Sequence, residues 1–179
     1  MRTPGRSVVS ILVAVVAQSA VAPGAAPASV ERRAPVLDEI RVLRAETWRW
    51  ERLMGVRRTP ATRSAERSSS TSYRRWVLAY WKDRARRART RAKNPPRLGA
   101  WICIHRHEGP WNASTGNGYY GGLQMDMAFQ RRYGLFLLRA KGTANRWRPI
   151  EQIWVAERAY RSGRGFGPWP NTARACGLR

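Results

Sequence analysis

The chain has 179 residues, which leaves room for one modest domain with additional segments. It carries 34 lysine and arginine residues against 11 aspartate and glutamate residues, so its formal net charge at pH 7 is +23. A basic excess of this size indicates an anionic partner, such as nucleic acid, lipid head groups or an acidic wall polymer.

The N-terminus has the pattern of a secretory signal. Arg2 and Arg6 precede an apolar run at residues 8–17, and small residues follow as far as Ala28. At about ten residues the run is too short to cross a bilayer as a helix, so we expect no transmembrane anchor. We predict a signal peptide at residues 1–28 and a protein that is secreted or held in the cell wall. The alternative is a buried N-terminal helix.

Residues 29–96 form a basic region with two helical patterns. Apolar side chains from Val36 to Met54 recur every three or four residues, which predicts an amphipathic helix. A second pattern starts at Tyr73 and becomes an arginine–alanine run that ends before Asn94. We predict that the two helices form a hairpin or remain partly disordered, joined by a linker rich in Ser, Thr and Arg.

Two interpretations of residues 74–93 remain open. The segment either binds an anionic wall polymer or is a solvated helix face that keeps the protein soluble. The tryptophans of the basic region are more typical of packing than of ligand stacking, and they are Trp48, Trp50, Trp76 and Trp81.

The most informative stretch surrounds Glu108. An apolar helical run, predicted from about Leu98 to His107, leads to this carboxylate, and Gly109-Pro110 ends the helix at once. A carboxylate at the C-terminal end of a helix faces the negative pole of the helix dipole, and nearby tryptophan rings limit its hydration. Both effects favour the protonated form, which a general acid for glycoside cleavage requires.

A hairpin and two helices are predicted to follow. Asn117-Gly118 is a strong signal for a tight hairpin turn. Asp126 stands where a helix N-cap would lie, before a helix that we expect to end at Gly134. Pro149 fits the first turn of a further helix, which Gly163 would end. Three leucines are expected in the core, namely Leu135, Leu137 and Leu138.

Two cysteines, Cys103 and Cys176, bear on the same region. An exported protein usually pairs an even number of cysteines, which predicts a disulfide bond between the helix before Glu108 and the C-terminal segment. Two free buried thiols are the alternative. A metal site is less favoured, because the cysteines give no local chelate and His105 and His107 point in nearly opposite directions on a helix. We therefore predict no metal and no cofactor.

Three runs of the sequence carry a resemblance to a known family: EGPWNASTGNGYYGGLQMD, EQIWVAER and GFGPWPNTARACG. They resemble the catalytic domain of actinobacterial resuscitation-promoting factors, which are peptidoglycan-cleaving, transglycosylase-like proteins of the lysozyme superfamily. The resemblance covers about residues 97–179 and implies that Glu108 is the catalytic acid. It implies that the sugar cleft is lined by Trp111, Tyr119, Tyr120, Gln124 and Trp169, and we include Asn117 and Asp126 with them. Family members commonly have Cys directly before the Glu, where this chain has His107.

Glycoside cleavage normally uses two carboxylates. In residues 97–179 the one candidate partner for Glu108 is Asp126, and helix capping explains that residue without chemistry. A single-acid scheme is therefore favoured. In it, Glu108 protonates the glycosidic oxygen and then acts as a base toward the sugar's own 6-hydroxyl group or toward water.

The predicted fold is α+β and mainly α: a small lysozyme-like catalytic domain at residues 97–179, with a short hairpin or loop, preceded by the basic helical region. The predicted function is that of an exported lytic transglycosylase or muramidase, which cleaves the bond between N-acetylmuramic acid and N-acetylglucosamine. Its expected partners are peptidoglycan glycan strands and, through residues 74–93, anionic wall polymers, with no nucleic acid expected in vivo. The alternative is a non-catalytic cationic protein that binds the cell wall or another polyanion.

Overall fold

The computed structural model describes residues 33–178, and the predicted signal peptide at residues 1–28 lies outside them. The α-helices of the described part are α1 (Arg33–Met54), α2 (Ser64–Arg67), α3 (Thr71–Lys93), α4 (Leu98–Glu108), α5 (Met127–Lys141), α6 (Pro149–Ala159) and α7 (Pro170–Ala175). Strands β1 (Tyr119–Tyr120) and β2 (Met125–Asp126) form a two-stranded antiparallel sheet. The predicted fold class, α+β and mainly α, is confirmed.

The two long basic helices, α1 and α3, run side by side in the same direction. Glu39 pairs with Lys82 (2.9 Å) and Glu46 with Arg89 (2.7 Å), so the contacts advance along both helices together. The buried seam between them is built from Ile40, Val77 and Trp81. A hairpin needs antiparallel helices, so the predicted hairpin is corrected to a parallel pair. The connection at residues 55–70 returns along the pair before α3 begins.

Side-chain hydrogen bonds hold that connection in place. Glu51 accepts hydrogen bonds from the Thr59 backbone N–H (2.9 Å) and from the Thr59 hydroxyl group (2.5 Å). Trp48 Nε1 donates to the Thr59 carbonyl oxygen (2.8 Å), and Trp81 Nε1 donates to the Thr62 hydroxyl group (2.7 Å). The helices thus supply partners for polar atoms of the connection, which explains how a segment without apolar periodicity follows a defined path.

The C-terminal ends of α1 and α3 enter the same hydrophobic core as the later helices. This core includes Trp50, Leu53, Met54, Ala88, Ala92, Trp101, Leu123 and Trp154. In addition, Trp154 Nε1 donates a hydrogen bond to the Ala92 carbonyl oxygen (2.7 Å). The boundary predicted near residue 97 therefore lies within one continuous core, and the helix pair is part of the unit that carries Glu108.

Arg158 ties α6 to the end of α1. Its guanidinium group donates hydrogen bonds to the carbonyl oxygens of Arg52 and Leu53, with 3.1 Å between Nη2 and the Leu53 oxygen. Both oxygens belong to the last turn of α1, where the backbone carbonyl groups have no partners within the helix. Burial, together with the positive charge of Arg161, lowers the pKa of Arg158 to about 10, so the side chain is still charged at neutral pH.

Helix α5 does not end at Gly134, contrary to the prediction from sequence. Gly134 has φ −126° and ψ 18°, which kinks the helix, and α5 then continues until Gly142 (φ 80°) ends it. The reason for the glycine is a close approach, because a Cβ atom at Gly134 would lie 2.6 Å from Trp147 Cη2. Of the leucines predicted for the core, Leu137 is buried, but Leu135 is 39% exposed.

Gly134→Ala should lower the free energy of unfolding by about 1–3 kcal/mol, because the added methyl group would overlap a tightly packed ring. Trp147 is 3% exposed, and its Nε1 is held by the Gly142 carbonyl oxygen at 2.8 Å. Urea unfolding followed by tryptophan fluorescence measures the change. The matched control is Gly99→Ala in α4, where nothing lies within 4 Å of an added Cβ atom. That variant should be neutral or slightly stabilising, and equal destabilisation by both would contradict the packing argument.

The turn between the two strands lies further along the chain than Asn117-Gly118, where the sequence suggested it. Strands β1 and β2 pair across a turn at residues 121–124, in which Gln124 adopts φ +44°. An isolated bridge between Ser114 and Tyr120 closes the preceding loop, which contains the Asn117-Gly118 dipeptide.

Helix α6 begins at Pro149 as predicted but ends at Ala159. The chain then continues as a π-helical turn, Tyr160–Arg164, in which Gly163 has φ +93°. Within residues 33–178, no helix combines the length and the apolar composition that a membrane span requires.

Candidate active site

Glu108 is the last residue of α4. Gly109 follows with φ 142° and ψ −177°, a conformation that ends the helix. The Glu108 side chain is half-buried, and its Oε1 accepts a hydrogen bond from the hydroxyl group of Thr172 (2.8 Å). The carboxyl group is therefore held by a second element of the fold while part of it still faces solvent.

A disulfide bond also joins the two helices that carry Glu108 and Thr172. It joins Cys103 on α4 to Cys176 at the end of α7, with the Cα atoms 6.0 Å apart, and confirms the pairing predicted from sequence. Cys103 precedes Glu108 in the same helix, and Cys176 follows Thr172 by about one helical turn. A covalent link and a hydrogen bond thus both join α4 to α7.

A cleft of about 340 Å³ lies between the sheet, α5 and the segment that leads into α7. Its lining comprises Tyr119, Gln124, Met125, Asp126, Ala128, Phe129, Arg132, Arg164, Pro168 and Trp169. The structure therefore brings together Tyr119, Gln124, Asp126 and Trp169 from the predicted substrate-binding set. Tyr119 is 47% exposed, so its ring offers accessible surface at the mouth of this cleft.

Helix α7 connects the cleft to Glu108. Trp169 immediately precedes α7 and forms part of the cleft wall. The Thr172 hydroxyl group, which donates to Glu108, also lies 3.4 Å from the Trp169 carbonyl oxygen. The acid and the cleft wall are therefore linked through one short helix.

Asp126 and Trp169 each have a structural role as well. Asp126 Oδ1 accepts a hydrogen bond from the Phe129 backbone N–H (2.6 Å), so this residue caps α5, as the capping interpretation predicted. Trp169 is only 4% exposed, and its Nε1 donates to the Leu123 carbonyl oxygen (2.7 Å). Its ring is a fixed wall of the cleft and not a freely exposed platform.

The other predicted substrate-binding residues, Trp111, Asn117 and Tyr120, are not in the cleft lining. Trp111 stacks on His105, with ring centroids 3.9 Å apart and planes inclined by 17°. Asn117 Oδ1 accepts a hydrogen bond from the Tyr119 backbone N–H (3.1 Å), and Tyr120 is half-buried against the core. In this structure they support the loop that carries Tyr119.

Gln152 is the polar centre beneath this loop. Its side chain is fully buried, and Nε2 donates to the carbonyl oxygens of Trp111 (2.8 Å) and Ala144 (2.9 Å). Its Oε1 accepts a hydrogen bond from the Gly122 backbone N–H (2.9 Å). A buried amide that satisfies three backbone segments fixes their relative positions.

Two arginines that the sequence analysis did not select, Arg132 and Arg164, also line the cleft. The hydrogen bond from Ser162 and the charges of Arg164 and Arg132 lower the pKa of the buried Tyr133 below its ordinary value, although burial opposes the shift. The lining therefore carries two guanidinium groups against one carboxylate, that of Asp126. Guanidinium groups in such a place suit a ligand that carries carboxylate groups.

Among the described residues, the side chains of Cys103, His107 and Cys176 place three possible metal donors within 4.8 Å of one another. The two sulfur atoms are bonded to each other. They therefore lack the thiolate form that binds a metal ion, and the geometry is explained by the disulfide bond.

Sequence reasoning did not find Thr172, Gln152 or the two cleft arginines. The contact between Thr172 and Glu108 spans 64 positions of the chain, so no local motif announces it. Gln152 lies in the first turn of α6, and its backbone partners, Trp111, Gly122 and Ala144, come from three other segments of the chain. Arg132 and Arg164 could not be distinguished from the other arginines by sequence in a chain so rich in arginine.

Thr172→Val should reduce the rate of glycan cleavage about five- to tenfold, because the hydrogen bond that orients Glu108 is lost while the side-chain volume is kept. Thr172→Ser retains the hydroxyl group and should restore most of the rate. Release of soluble fragments from purified peptidoglycan measures both variants, and their melting temperatures show whether the fold is intact. Equal rates for Val and wild type would show that the contact is not used in the reaction.

Residues 101–172 match the family model of the transglycosylase-like domain. The matched segment runs from Trp101 on α4 to Thr172 on α7 and includes Glu108.

Curated relatives confirm the resemblance seen in the sequence. The chain is 41% identical over 81 residues to resuscitation-promoting factor RpfE of Mycobacterium tuberculosis, a match that covers 44% of this chain and 41% of that protein. It is 39% identical over 72 residues to resuscitation-promoting factor Rpf1 of Corynebacterium glutamicum, covering 39% of this chain and 35% of that protein. The similarity thus spans less than half the length of either relative.

Proposed function

We propose that the protein is an exported enzyme that cleaves the glycan strands of peptidoglycan between N-acetylmuramic acid and N-acetylglucosamine. The observation that carries the proposal is the position of Glu108. This acid ends a helix, is oriented by Thr172 at 2.8 Å, and belongs to a segment that matches the transglycosylase-like domain. The family match supports action on peptidoglycan, and the cleft supports a sugar polymer as ligand.

In the proposed reaction, the Glu108 carboxyl group donates its proton to the glycosidic oxygen. The bond between that oxygen and the sugar's C1 breaks, the oxygen keeps the electron pair, and an oxocarbenium-like centre forms at C1. Glu108, now a carboxylate, accepts a proton from the attacking hydroxyl group. If the attacker is the sugar's own 6-hydroxyl, a 1,6-anhydro ring closes; if it is water, a reducing end forms.

Cleft residues would position the strand for this step. Tyr119 and Gln124 would contact sugar rings, and Trp169 would form the wall behind them. Arg132 and Arg164 would hold the carboxylate groups of the peptide stems that peptidoglycan carries. Asp126 Oδ1 already accepts the hydrogen bond from the Phe129 backbone N–H that caps α5 (2.6 Å), which supports a single-acid scheme.

The deciding experiment is mass spectrometry of the fragments that the mature protein releases from purified peptidoglycan. Anhydro-muramyl ends would establish a transglycosylase, and reducing ends would establish a muramidase. If neither the wild-type protein nor a Glu108→Gln control releases fragments, the enzyme proposal fails.

The second candidate function is a non-catalytic binder of anionic wall polymers, and an arginine-lined groove favours it. This groove has a volume of about 690 Å³ and is lined by Arg84, Arg86, Arg87 and Arg91 of α3, among others. Asp83 pairs with Arg86 and Arg87, and Glu51 also lines the groove. Four arginines against these two carboxylates leave the local charge positive. The same surface would also serve the enzyme by holding it on the wall.

Deleting residues 29–96 is not a clean test of the binder, because α1 and α3 contribute to the common core. The triple variant Arg84→Gln, Arg87→Gln, Arg91→Gln removes charge and leaves the core alone. Binding to wall polymers should fall and lose most of its salt dependence. Unchanged binding would remove this surface from consideration.

A further inference from the structure

We propose that Tyr73, Trp76 and Tyr80 of α3, here called the aromatic row, form a second glycan-binding surface that is separate from Glu108 and from the cleft lined by Tyr119 and Trp169. The row would take the sugar rings of a wall glycan strand along its outer side. The inference rests on the proposed function in one respect only, since it takes the same polymer as ligand.

Exposure distinguishes Trp76 from the other aromatic side chains of the helix pair, and Tyr73 and Tyr80 beside it are half-buried against the seam of α1 and α3. Trp50 and Trp81 are buried, and Trp48 packs edge-on against Trp81 with centroids 6.1 Å apart. These three follow the packing role predicted from sequence. Trp76 does not: it is 59% exposed and belongs to neither cluster of core side chains. An exposed tryptophan between two tyrosines costs solubility and marks a contact surface.

The three rings are arranged in parallel. Tyr73 and Trp76 have centroids 6.1 Å apart and planes inclined by 15°, and Trp76 and Tyr80 have centroids 6.0 Å apart and planes inclined by 20°. Their spacing of three and four residues places them on one side of the helix. Each ring therefore supports the orientation of the next, and the row is ordered before a ligand arrives.

The same side of α3 continues as a row of positive charge. Arg84 lies over the ring of Tyr80, with its guanidinium carbon 5.2 Å from the ring centroid. Arg87 and Arg91 follow at helical spacing and line the arginine groove. From Tyr73 to Arg91 the surface is about 27 Å long, from the rise of about 1.5 Å per residue. It fits an elongated polymer with stackable rings and carboxylate groups.

A sugar strand matches this surface better than a single-stranded nucleic acid does. The C–H groups on one side of a pyranose ring carry a small positive charge and meet the electron-rich face of an aromatic ring. A nucleobase that inserts between two rings needs about 7 Å, twice the van der Waals contact distance of about 3.5 Å. The centroids of the aromatic row are only 6.0–6.1 Å apart. Insertion between neighbouring rings is therefore excluded, and a ligand would bind on the outer side of the row.

A second attachment point has a functional consequence. Binding the strand at the aromatic row raises the effective concentration of neighbouring strands at Glu108, because the second contact becomes intramolecular. The row would thus hold the enzyme on insoluble wall between cleavage events.

The test is a sedimentation assay with insoluble peptidoglycan from which phosphodiester-linked polymers have been stripped. All proteins carry Glu108→Gln so that the polymer is not degraded. Adding Trp76→Ala and Tyr80→Ala should weaken binding about tenfold, and the loss should persist at high salt, where charge pairs are screened. The matched control is Val42→Ala, which alters an apolar side chain on α1 that is 66% exposed, and it should bind as the background does.

Three outcomes would overturn the inference. The row variant and the control could bind peptidoglycan equally well, or the row variant could lose binding only to a single-stranded oligonucleotide or to anionic vesicles. The third is that the row variant loses a self-associated state in analytical ultracentrifugation while its peptidoglycan binding is unchanged. Fragment release by the wild-type protein is measured separately. Failure of the proposed enzyme activity and failure of the aromatic row are therefore seen in different assays.

Discussion

Glu108→Gln is expected to lower the rate of peptidoglycan cleavage by a factor of about 10²–10⁴, the usual contribution of general acid–base catalysis. Glutamine keeps the shape of glutamate but has no proton to give to the glycosidic oxygen. Its amide oxygen still accepts the hydrogen bond from Thr172, so the site geometry is preserved. The measurement is the initial rate at which a peptidoglycan suspension loses turbidity. Melting temperatures of both proteins verify the fold.

The control for this variant is Asp126→Asn, which changes the one carboxylate in the cleft lining. Asparagine is as good an N-cap as aspartate, so the hydrogen bond to the Phe129 N–H survives and α5 is not destabilised. We expect a rate within a few-fold of wild type. A loss as large as that of Glu108→Gln would contradict the single-acid scheme and assign a chemical role to Asp126.

The position of Glu108 at a helix end was predictable because its signals are local. An apolar helical run, a carboxylate and Gly109 lie within a few residues of one another, and α4 ends where that pattern indicates. Asp126 was predictable for the same reason, since an N-cap is determined by the residues that directly follow it. The disulfide bond followed from the cysteine count alone.

Contacts between distant segments were not predictable. Gly134 has the usual signature of a helix end, but Trp147 passes so close that only glycine fits, and the helix continues. The parallel course of α1 and α3 depends on how the connection is pinned by Glu51, Trp48 and Trp81. No periodicity of apolar residues encodes that path.

The cleft shows the same division. Tyr119 and Gln124 were selected through a family resemblance and lie in the lining, whereas Trp111 and Tyr120, selected the same way, lie behind it. Only the fold separates the two groups.

Removal of the disulfide bond should have the second large effect. In the chain-entropy model, a link between residues 73 positions apart stabilises the fold by about 4 kcal/mol. The variant Cys103→Ala, Cys176→Ala should therefore melt about 10 °C below wild type. Its activity should fall further than its stability explains, because α7 carries Thr172 and its last turn would no longer be tied to α4.

The control is chemical reduction of the wild-type protein, which breaks the same bond without changing any other atom of the side chains' surroundings. Reduced wild type and the double-alanine variant should show the same loss in melting temperature and in cleavage rate measured well below both melting points. If the rate is unchanged while the melting temperature falls, the bond serves only stability. The Glu108–Thr172 geometry is then maintained by packing alone, through the buried ring of Trp169 and its hydrogen bond to the Leu123 carbonyl oxygen at 2.7 Å.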